Sequence, residues 1–310
     1  MSNENAMLRT YKYRLYPRKA EVRALEATLE QGREVYNAAL AECKLRYEAT
    51  GSSITAIAQW DYFRPWRKQP GILLNASSLQ HILRRVDKAY AAFFRRLKAG
   101  ETPGHPRFKP AQRFNSLDYT YSDGCKLNDR ALYVQNVGDI KVKLHRPLPD
   151  GAVIKQANIK RSGRKWFVCL SVQCEELRYG CQPQPAVGID LGLKDLATLS
   201  TGEKIEHPRF FRELEAKLGK AQRARKKRQV TNLHAKIASC RMDFLHKAST
   251  DIVRRFDYIA AGNVSSSKLA KTKMAKSVYD ASWHSFKQML AYKSVANGAW
   301  YEEVNEAFSS

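Results

Sequence analysis

The stretch Val187-Gly188-Ile189-Asp190-Leu191-Gly192 decides the fold of the second half of the chain, because it is typical of an apolar β-strand carrying one acid. Two further strand-like segments, 196–199 and 204–205, come next and are separated by a turn that contains Gly202. The three segments together predict a three-strand meander. A carboxylate inside an apolar strand costs several kcal/mol unless a cation or hydrogen bonds satisfy it. We therefore expect Asp190 to be buried and to bind a metal ion; the alternative is an acid that caps a turn at the strand end.

Two architectures place an acid in this position. Ribonuclease H-like enzymes carry their first Mg²⁺ ligand on the strand that opens such a meander, and two ions then clamp the attacking and leaving oxygens of a phosphodiester. The string Gly-Ile-Asp-Leu-Gly also opens the phosphate-binding hairpin of the sugar-kinase and heat-shock ATPase fold, which needs a second Asp-x-Gly hairpin. The chain has no Asp-x-Gly other than 190–192, so the ribonuclease H reading is favoured.

Downstream, helical and strand patterns alternate. A long basic helical segment extends to Phe256, and it is followed by a strand at 258–261, a helix near 283–292 and a last strand at 301–304. A meander followed by alternating helices and strands indicates an α/β layer. The Pro-rich segment 182–185 is typical of a linker between this layer and the first half.

The first half combines an N-terminal strand, two helical regions and a series of short strands. Residues 8–16 alternate apolar and basic side chains, and three-to-four spacing predicts helices over 19–47, broken at Gly32, and over 77–97. After the Pro-rich loop 103–110, the β-type runs are 119–121, 131–134, 140–144, 152–159 and 166–172. This order predicts a small barrel or sandwich with the helices inserted between its first and second strands.

The charge of the chain indicates a polyanionic partner. Its 310 residues contain 54 Lys and Arg against 30 Asp and Glu, a formal charge of +24. Phosphate backbones or an anionic membrane face would explain this excess, and a merely solvated basic surface is the alternative. The sequence pattern shows neither a membrane span nor a secretion signal, so we expect a cytoplasmic protein. The six cysteines form no Cys-x-x-Cys pair, so we expect no zinc site and no disulfides.

Basic residues concentrate in the segment 207–275, which holds 17 Lys and Arg against five acids. Because this segment follows the strand of Asp190, a nucleic-acid channel is favoured over a solvated helix face. Near the N-terminus, aromatic side chains alternate with basic ones. These aromatic side chains either stack on nucleobases or pack in the core. The residues expected here to contact nucleic acid are Lys12, Arg14, Tyr16, Arg223, Arg225, Lys226, Lys227, Arg228, Lys268, Lys271, Lys273 and Lys276.

Four stretches carry a resemblance to one family. They are 11–17 (YKYRLYP), 106–109 (PRFK), 187–198 (VGIDLGLKDLAT) and 264–293 (VSSSKLAKTKMAKSVYDASWHSFKQMLAYK). Together they resemble TnpB, the transposon-encoded RNA-guided nucleases ancestral to type V CRISPR effectors. The third stretch is similar to the first motif of the family's RuvC-type nuclease domain, and the fourth is similar to the stretch that follows its second motif.

The resemblance implies an α+β multidomain protein. Its parts would be a wedge β-barrel (1–18 and 101–181), an inserted helical recognition lobe (19–100), the linker 182–185 and an α/β RuvC-like domain of ribonuclease H topology (186–310). It also implies a guide RNA and a double-stranded DNA target with a short adjacent motif, so that base pairing supplies most of the sequence specificity. The nucleic-acid contacts that it adds are Arg107 and Lys109 in the loop, and Ser78, Gln80 and Arg84 as candidate readers of the adjacent motif.

Two departures from the family pattern bear on catalysis. The family has Glu-Asp-Leu-Asn at the end of the second nuclease strand, whereas 259–264 contain no carboxylate. Some relatives carry this Glu on the next strand, where Glu306 is the first candidate and Glu303 the second; ordinary exposed strand acids are the alternative. The given sequence also stops before the family's zinc ribbon and third catalytic Asp, so we expect an incomplete RuvC-like domain in which Mg²⁺ is not functional.

The sequence thus predicts a protein that binds guide RNA and target DNA without cutting it, and that acts as a transcriptional repressor. One alternative is an active RNA-guided DNA endonuclease, with a relocated Glu or as a piece of a complete parent. The other is a guide-independent basic DNA-binding protein left over from a degraded transposase.

Overall fold

The first half of the chain is built on seven antiparallel strands. The computed structural model describes residues 6–175, 185–264, 272 and 275–305, and the chain divides into two compact units at Glu175. The strands of the first unit are β1 (Ala6–Tyr16), β2 (Ser116–Thr120), β3 (Cys125–Asn128), β4 (Ala131–Val134), β5 (Gly138–Lys143), β6 (Val153–Ser162) and β7 (Lys165–Glu175). They form one sheet in the order β2-β6-β7-β1-β5-β4-β3, which curls into a nearly closed barrel.

The central strand β1 shows why the barrel forms. Its side chains alternate, so that Tyr13 and Leu15 are fully buried while Lys12 and Tyr16 are exposed. Strand β1 pairs with β7 in one continuous antiparallel register, from Ala6 beside Glu175 to Leu15 beside Trp166, and this register keeps its alternate side chains on the core face. The predicted barrel is therefore confirmed, and β3 is a strand that the sequence pattern did not reveal.

Three helices are inserted between β1 and β2. They are α1 (Lys19–Thr50), α2 (Ala56–Arg67) and α3 (Ala76–Lys98). The predicted break at Gly32 is wrong, because α1 continues through it for 32 residues. A Cβ at Gly32 would lie 3.0 Å from Phe114 and 3.1 Å from Ile82 and Leu117. This glycine therefore lets α1 approach α3 and the barrel closely.

The second unit contains a five-stranded sheet covered by helices. Its elements are β8 (Ala186–Leu191), β9 (Asp195–Leu199), β10 (Lys204–Glu206), α4 (Phe210–Arg223), α5 (Lys227–Arg255), β11 (Tyr258–Gly262), α6 (Ala275–Ala281), α7 (Trp283–Asn297) and β12 (Trp300–Val304). The strand order is β10-β9-β8-β11-β12. Strands β8, β9 and β10 form the predicted antiparallel meander, and β11 runs parallel to both β8 and β12.

The hydrophobic core of this unit lies on one face of the sheet. Val187 and Ile189 of β8 and Ile259 of β11 are buried in one cluster with Ile252 of α5 and Phe286 of α7. The helices α5 and α7 therefore cover this face. Because side chains alternate along a strand, Gly188 and Asp190 belong to the opposite face.

Candidate nucleic-acid interface

Asp190 lies near the end of β8, with its side chain exposed. Its neighbour on β9 is Thr198, and the strand alternation turns it away from the core that contains Ile189 and Leu191. The expectation that Asp190 is buried is therefore wrong. The apolar pattern around it belongs to the helix-covered face alone, so the carboxylate avoids the desolvation that would otherwise require a cation.

The two acids of β12 face opposite sides of the sheet. Glu303 lies beside Ala261, which lies beside Ile189, so Glu303 belongs to the helix-covered face. There it pairs with Lys287 of α7 at 2.6 Å. The arrangement therefore does not bring Glu303 and Asp190 together, and Glu306 lies outside the described residues.

Glu302 shares the face of Asp190, but it is two strands away on β12 and accepts a hydrogen bond from the hydroxyl of Tyr258. Within 6–175, 185–264, 272 and 275–305, no group of three or more His, Cys, Asp or Glu is placed to hold a metal ion. The described residues thus offer Asp190 as one carboxylate for a divalent cation and do not complete a two-ion site.

The outer face of the barrel carries a row of basic and aromatic side chains. Both Lys12 and Arg14 of β1 lie over the ring of Phe167, at 4.3 and 5.1 Å from its centroid, and Arg14 also lies over Tyr16 at 5.4 Å. In register with Arg14 and Phe167, Lys143 of β5 and Lys160 of β6 continue the row. We call the set Lys12, Arg14, Tyr16, Lys143, Lys160 and Phe167 the barrel row.

The barrel row joins three predicted residues to three that the sequence reasoning missed. The signal for the missed ones was present, since Lys143, Lys160 and Phe167 occupy the outward positions of strands that alternate as β1 does. Cations held above aromatic rings present charge for phosphates, and an exposed ring presents a face for bases.

In the loop after α3, Arg107 is exposed but Lys109 is half-buried. The Lys109 ammonium lies 4.1 Å from the ring centroid of Tyr36. Its backbone N–H donates to Asn37 at 2.8 Å. Burial, with the Arg85 charge nearby, lowers the pKa of Lys109. Lys109 therefore anchors the loop to α1, and Arg107 is the loop cation that solvent reaches.

At the start of α3, not all of the residues predicted to read the adjacent motif are exposed. Ser78 is fully buried, so its predicted role in reading the adjacent motif is wrong. It lies on the helix face that packs beside Leu79 and Ile82 in the core, and three-to-four spacing along a helix cannot separate a buried Ser from an exposed one. Gln80 is half-buried and Arg84 is exposed.

The junction of α4 and α5 is an exposed basic turn. Arg223, Arg225, Lys226, Lys227 and Arg228 are all exposed there, and Arg225 adopts a left-handed φ of 51°. The residues 226–229 and Asn232 line an open cavity of about 410 Å³. This turn, called the basic turn below, is the densest concentration of positive charge in the sequence, and the fold leaves it open to solvent.

The remaining predicted cations lie further along the chain. Lys276 of α6 is exposed and pairs with Glu215 of α4 at 2.7 Å. Lys268, Lys271 and Lys273 lie outside the described residues. None of the helices in the described parts of the chain is long and apolar enough to span a bilayer.

Sequence comparisons place these features in a family. A family described as "Probable transposase" matches residues 168–273, and one described as "Helix-turn-helix domain" matches residues 7–52. In the structure, 7–52 form β1 and the single helix α1. The first match indicates a transposase-related class of protein.

Two curated relatives extend over nearly the whole chain. A Streptomyces pristinaespiralis protein named "Putative RNA-guided DNA endonuclease" is 33% identical, covering 94% of this chain and 75% of the relative. The "Putative RNA-guided DNA endonuclease InsQ" of Escherichia coli (strain K12) is 26% identical, covering 98% of this chain and 82% of the relative. The chain belongs to the TnpB family, as the resemblance indicated.

A solved structure shares the fold. The Cas12f1 chain in a cryo-EM structure of a Cas12f1–sgRNA–target DNA complex superimposes with a TM-score of 0.60 over 97% of this chain and 90% of that chain. The two sequences are 11% identical, so the similarity concerns the fold alone.

Proposed function

We propose that this chain binds a guide RNA and, through base pairing of that guide, a double-stranded DNA target with a short adjacent motif. The observation that carries the proposal is the 33% identity, over 94% of the chain, to a relative named as an RNA-guided DNA endonuclease. The charge of +24 supports it, because phosphate contacts supply most of the affinity of such proteins for nucleic acid.

Two surfaces support the contacts with nucleic acid. The barrel row combines cations with the exposed ring of Tyr16, a combination that suits a backbone and unstacked bases. The basic turn offers charge without aromatic side chains, which suits a duplex backbone. Arg84 and Gln80 remain as candidate readers of the adjacent motif, with Arg107 at the loop.

The domain roles are part of the proposal. Residues 1–18 and 101–181 would be the wedge barrel, 19–100 the recognition lobe, 182–185 the linker and 186–310 the RuvC-like domain. The order β10-β9-β8-β11-β12, a meander joined to two parallel strands, supports the ribonuclease H topology of the last part. We place the activity at the chromosome in the cytoplasm of a prokaryote.

We further propose that this chain does not cut its target. A RuvC-type centre uses divalent ions to stabilise both the attacking and the leaving oxygen, which takes several carboxylates. Asp190 is the acid at the position of the family's first RuvC motif, and β11, the strand beside β8, supplies none. A protein that stays bound without cutting would block transcription from a matching promoter, which is the repressor role.

A second candidate is an RNA-guided DNA endonuclease. The exposed carboxylate of Asp190 favours it, because an accessible acid near a strand end suits a metal ligand better than a buried one. The names of both relatives favour it as well. It requires a further acid near Asp190, for which Glu306 remains the candidate.

The RNA bound to the protein tests the proposal. We would purify the chain from its native host and sequence the RNA that accompanies it. One discrete structured RNA with a variable 3′ segment that matches a chromosomal site is the expected result. Heterogeneous cellular RNA would contradict guide binding and support the guide-independent alternative.

A further inference from the structure

A second concentration of positive charge lies in a cavity within the second unit. The cavity has a volume of about 560 Å³ and is bordered by the β8–β9 connection, the segment before α4, the first turn of α4, and α6. We call it the α4–α6 cavity. The residues that matter for its chemistry are Lys194, Arg209, Phe211, Arg212, Lys276 and Asp280. Its volume falls in the range of small-molecule sites.

The walls of the cavity carry more positive than negative charge. Glu215 is the acid that pairs with both Lys276, at 2.7 Å, and Arg212, at 3.3 Å. Lys194 and Arg209 are exposed and have no ion-pair partner among the described residues. Two cations therefore face the cavity, and no acid in the described part of the chain neutralises them.

The one buried acid of the cavity is already engaged. The side chain of Asp280 is 4% exposed and pairs with Arg241 at 2.7 Å. It also accepts a hydrogen bond from the backbone N–H of Phe211 at 3.1 Å. Asp280 thus holds the first turn of α4 in place and does not offer its charge to a cation in the cavity.

Apolar and neutral groups complete the walls. Phe211 is half-buried, and Leu193 lines the cavity from the β8–β9 connection. The imidazole of His207 accepts a hydrogen bond from the backbone N–H of Arg209 at 2.9 Å. Burial lowers the pKa of His207, and the charges of Arg209 and Arg241 lower it further despite Asp280. The cavity therefore combines, among its described lining residues, cations without an ion-pair partner and one aromatic side chain.

We propose that the α4–α6 cavity binds one nucleotide of a single nucleic-acid strand, with its phosphate on Lys194 and Arg209 and its base against Phe211. Lys194 lies in the connection that follows β8, so the proposed phosphate site adjoins the end of that strand. The inference rests on the proposed function for the source of the strand, whereas the cavity chemistry itself requires only a phosphate and a base.

A tetranucleotide is short enough to test this cavity apart from the larger basic surfaces. We would measure, by fluorescence anisotropy, the affinity of the RNA-free full chain for labelled single-stranded DNA and RNA tetranucleotides. The test variant is Lys194→Gln/Arg209→Gln. The matched control is Lys19→Gln/Arg23→Gln, which removes one exposed Lys and one exposed Arg from α1 in the first unit.

The test variant is expected to lose about tenfold in affinity, equivalent to 1.4 kcal/mol, with the control within twofold of wild type. Phe211→Leu is expected to lose about threefold, because stacking on the base is removed. Equal losses in test and control variants would show a general charge effect and overturn the proposal, and so would no loss in either. Thermal unfolding of each variant checks that it is as folded as the wild-type chain.

The two probes identify the strand, since tighter binding of the DNA tetranucleotide assigns the cavity to DNA and tighter binding of the RNA one assigns it to RNA. Guide-dependent binding of a target duplex is measured on the same proteins. If the wild-type chain binds its target duplex only with the matched guide, but its tetranucleotide affinity does not depend on Lys194 and Arg209, this inference alone is overturned. The reverse pattern would overturn the proposed function and leave the cavity as a nucleotide site.

Discussion

Asp190 and Glu303 lie on opposite faces of the five-stranded sheet. Glu303 is in register with Ala261 and Ile189, and Ile189 precedes Asp190 on β8. Asp190 is therefore exposed on one face, whereas Glu303, although 41% exposed, lies on the other face and pairs with Lys287 of α7. This relationship separates a residue available for chemistry from one that holds the fold.

Glu303→Ala is expected to lower the free energy of unfolding by about 1–2 kcal/mol, because Lys287 would be left buried without its partner. The side chain of Lys287 is 9% exposed and that of Glu303 is 41% exposed, which reduces the cost below that of a fully buried pair. Chemical denaturation measures it. Lys287→Met is the control and should cost less, since it removes the buried charge. An unfolding free energy of Glu303→Ala equal to that of wild type would show that the pair with Lys287 does not stabilise the fold.

Gly32→Ala is expected to destabilise the first unit by about 1 kcal/mol. The new Cβ would crowd Phe114, Ile82 and Leu117 at 3.0–3.1 Å, and overpacking of this kind costs about 1–3 kcal/mol. The higher helix propensity of Ala offsets up to about 1 kcal/mol of this cost.

Gly219→Ala on α4 is the matched control for this substitution, because its Cβ would meet only the mobile end of Arg223 at 3.4 Å. It should stabilise the chain by about 0.5–1 kcal/mol. Equal thermal shifts for the two variants would show that Gly32 is not a packing position.

Lys293 gives the second unit a pH dependence. Its ammonium donates to the carbonyl of His246 and the hydroxyls of Ser249 and Thr250, each at 2.7 Å, and no carboxylate of the described residues pairs with it. Burial, aided by the charge of Arg254, lowers the pKa of Lys293 from 10.5 to about 8. Between these two values the unfolded chain binds more protons than the folded chain, so this group makes stability rise with pH in that window.

The measurement is the difference in unfolding free energy between wild type and Lys293→Met at several pH values. We expect wild type to gain relative to the variant from about pH 8 upward. Lys236→Met, at an exposed position of α5, controls for the loss of one charge. A flat difference across the window would show that the Lys293 amine is solvated.

Lys12→Gln tests the barrel row. The variant should bind guide RNA about three- to tenfold more weakly, and the slope of log affinity against log salt should fall by about 1, because one phosphate contact is lost. Lys19→Gln on α1 is the control for charge. If the variant has a lower free energy of unfolding but an unchanged salt slope, Lys12 stabilises the fold through its contact with Phe167 and does not contact a phosphate.

Local patterns predicted much of this fold. The alternation in β1 and β8 and the turn signals around the meander are properties of adjacent residues, so the barrel and the meander followed from the sequence. Gly32 did not, because its role depends on Phe114, which is distant along the chain. Sequence periodicity shows that a glycine interrupts an apolar helix face, but it does not show which distant side chain packs against that glycine.

The candidate site was predicted less completely for the same reason. The exposure of Asp190 depends on which face of the sheet the helices cover, and apolar neighbours at 189 and 191 do not reveal that. Ser78 looked available because α3 begins nearby, yet the helix turns it into the core. Lys143, Lys160 and Phe167 joined the barrel row only through strand register.

The central claim is guide-dependent DNA binding without cleavage. The most direct measurement uses one labelled target duplex, incubated with the chain, its guide RNA and Mg²⁺. Binding is read on a gel-shift assay and cleavage on a denaturing gel. We expect a shifted, intact duplex with the matched guide and no shift with a mismatched guide. Mg²⁺-dependent cleavage that Asp190→Ala abolishes, or binding that does not depend on the guide sequence, would contradict the account.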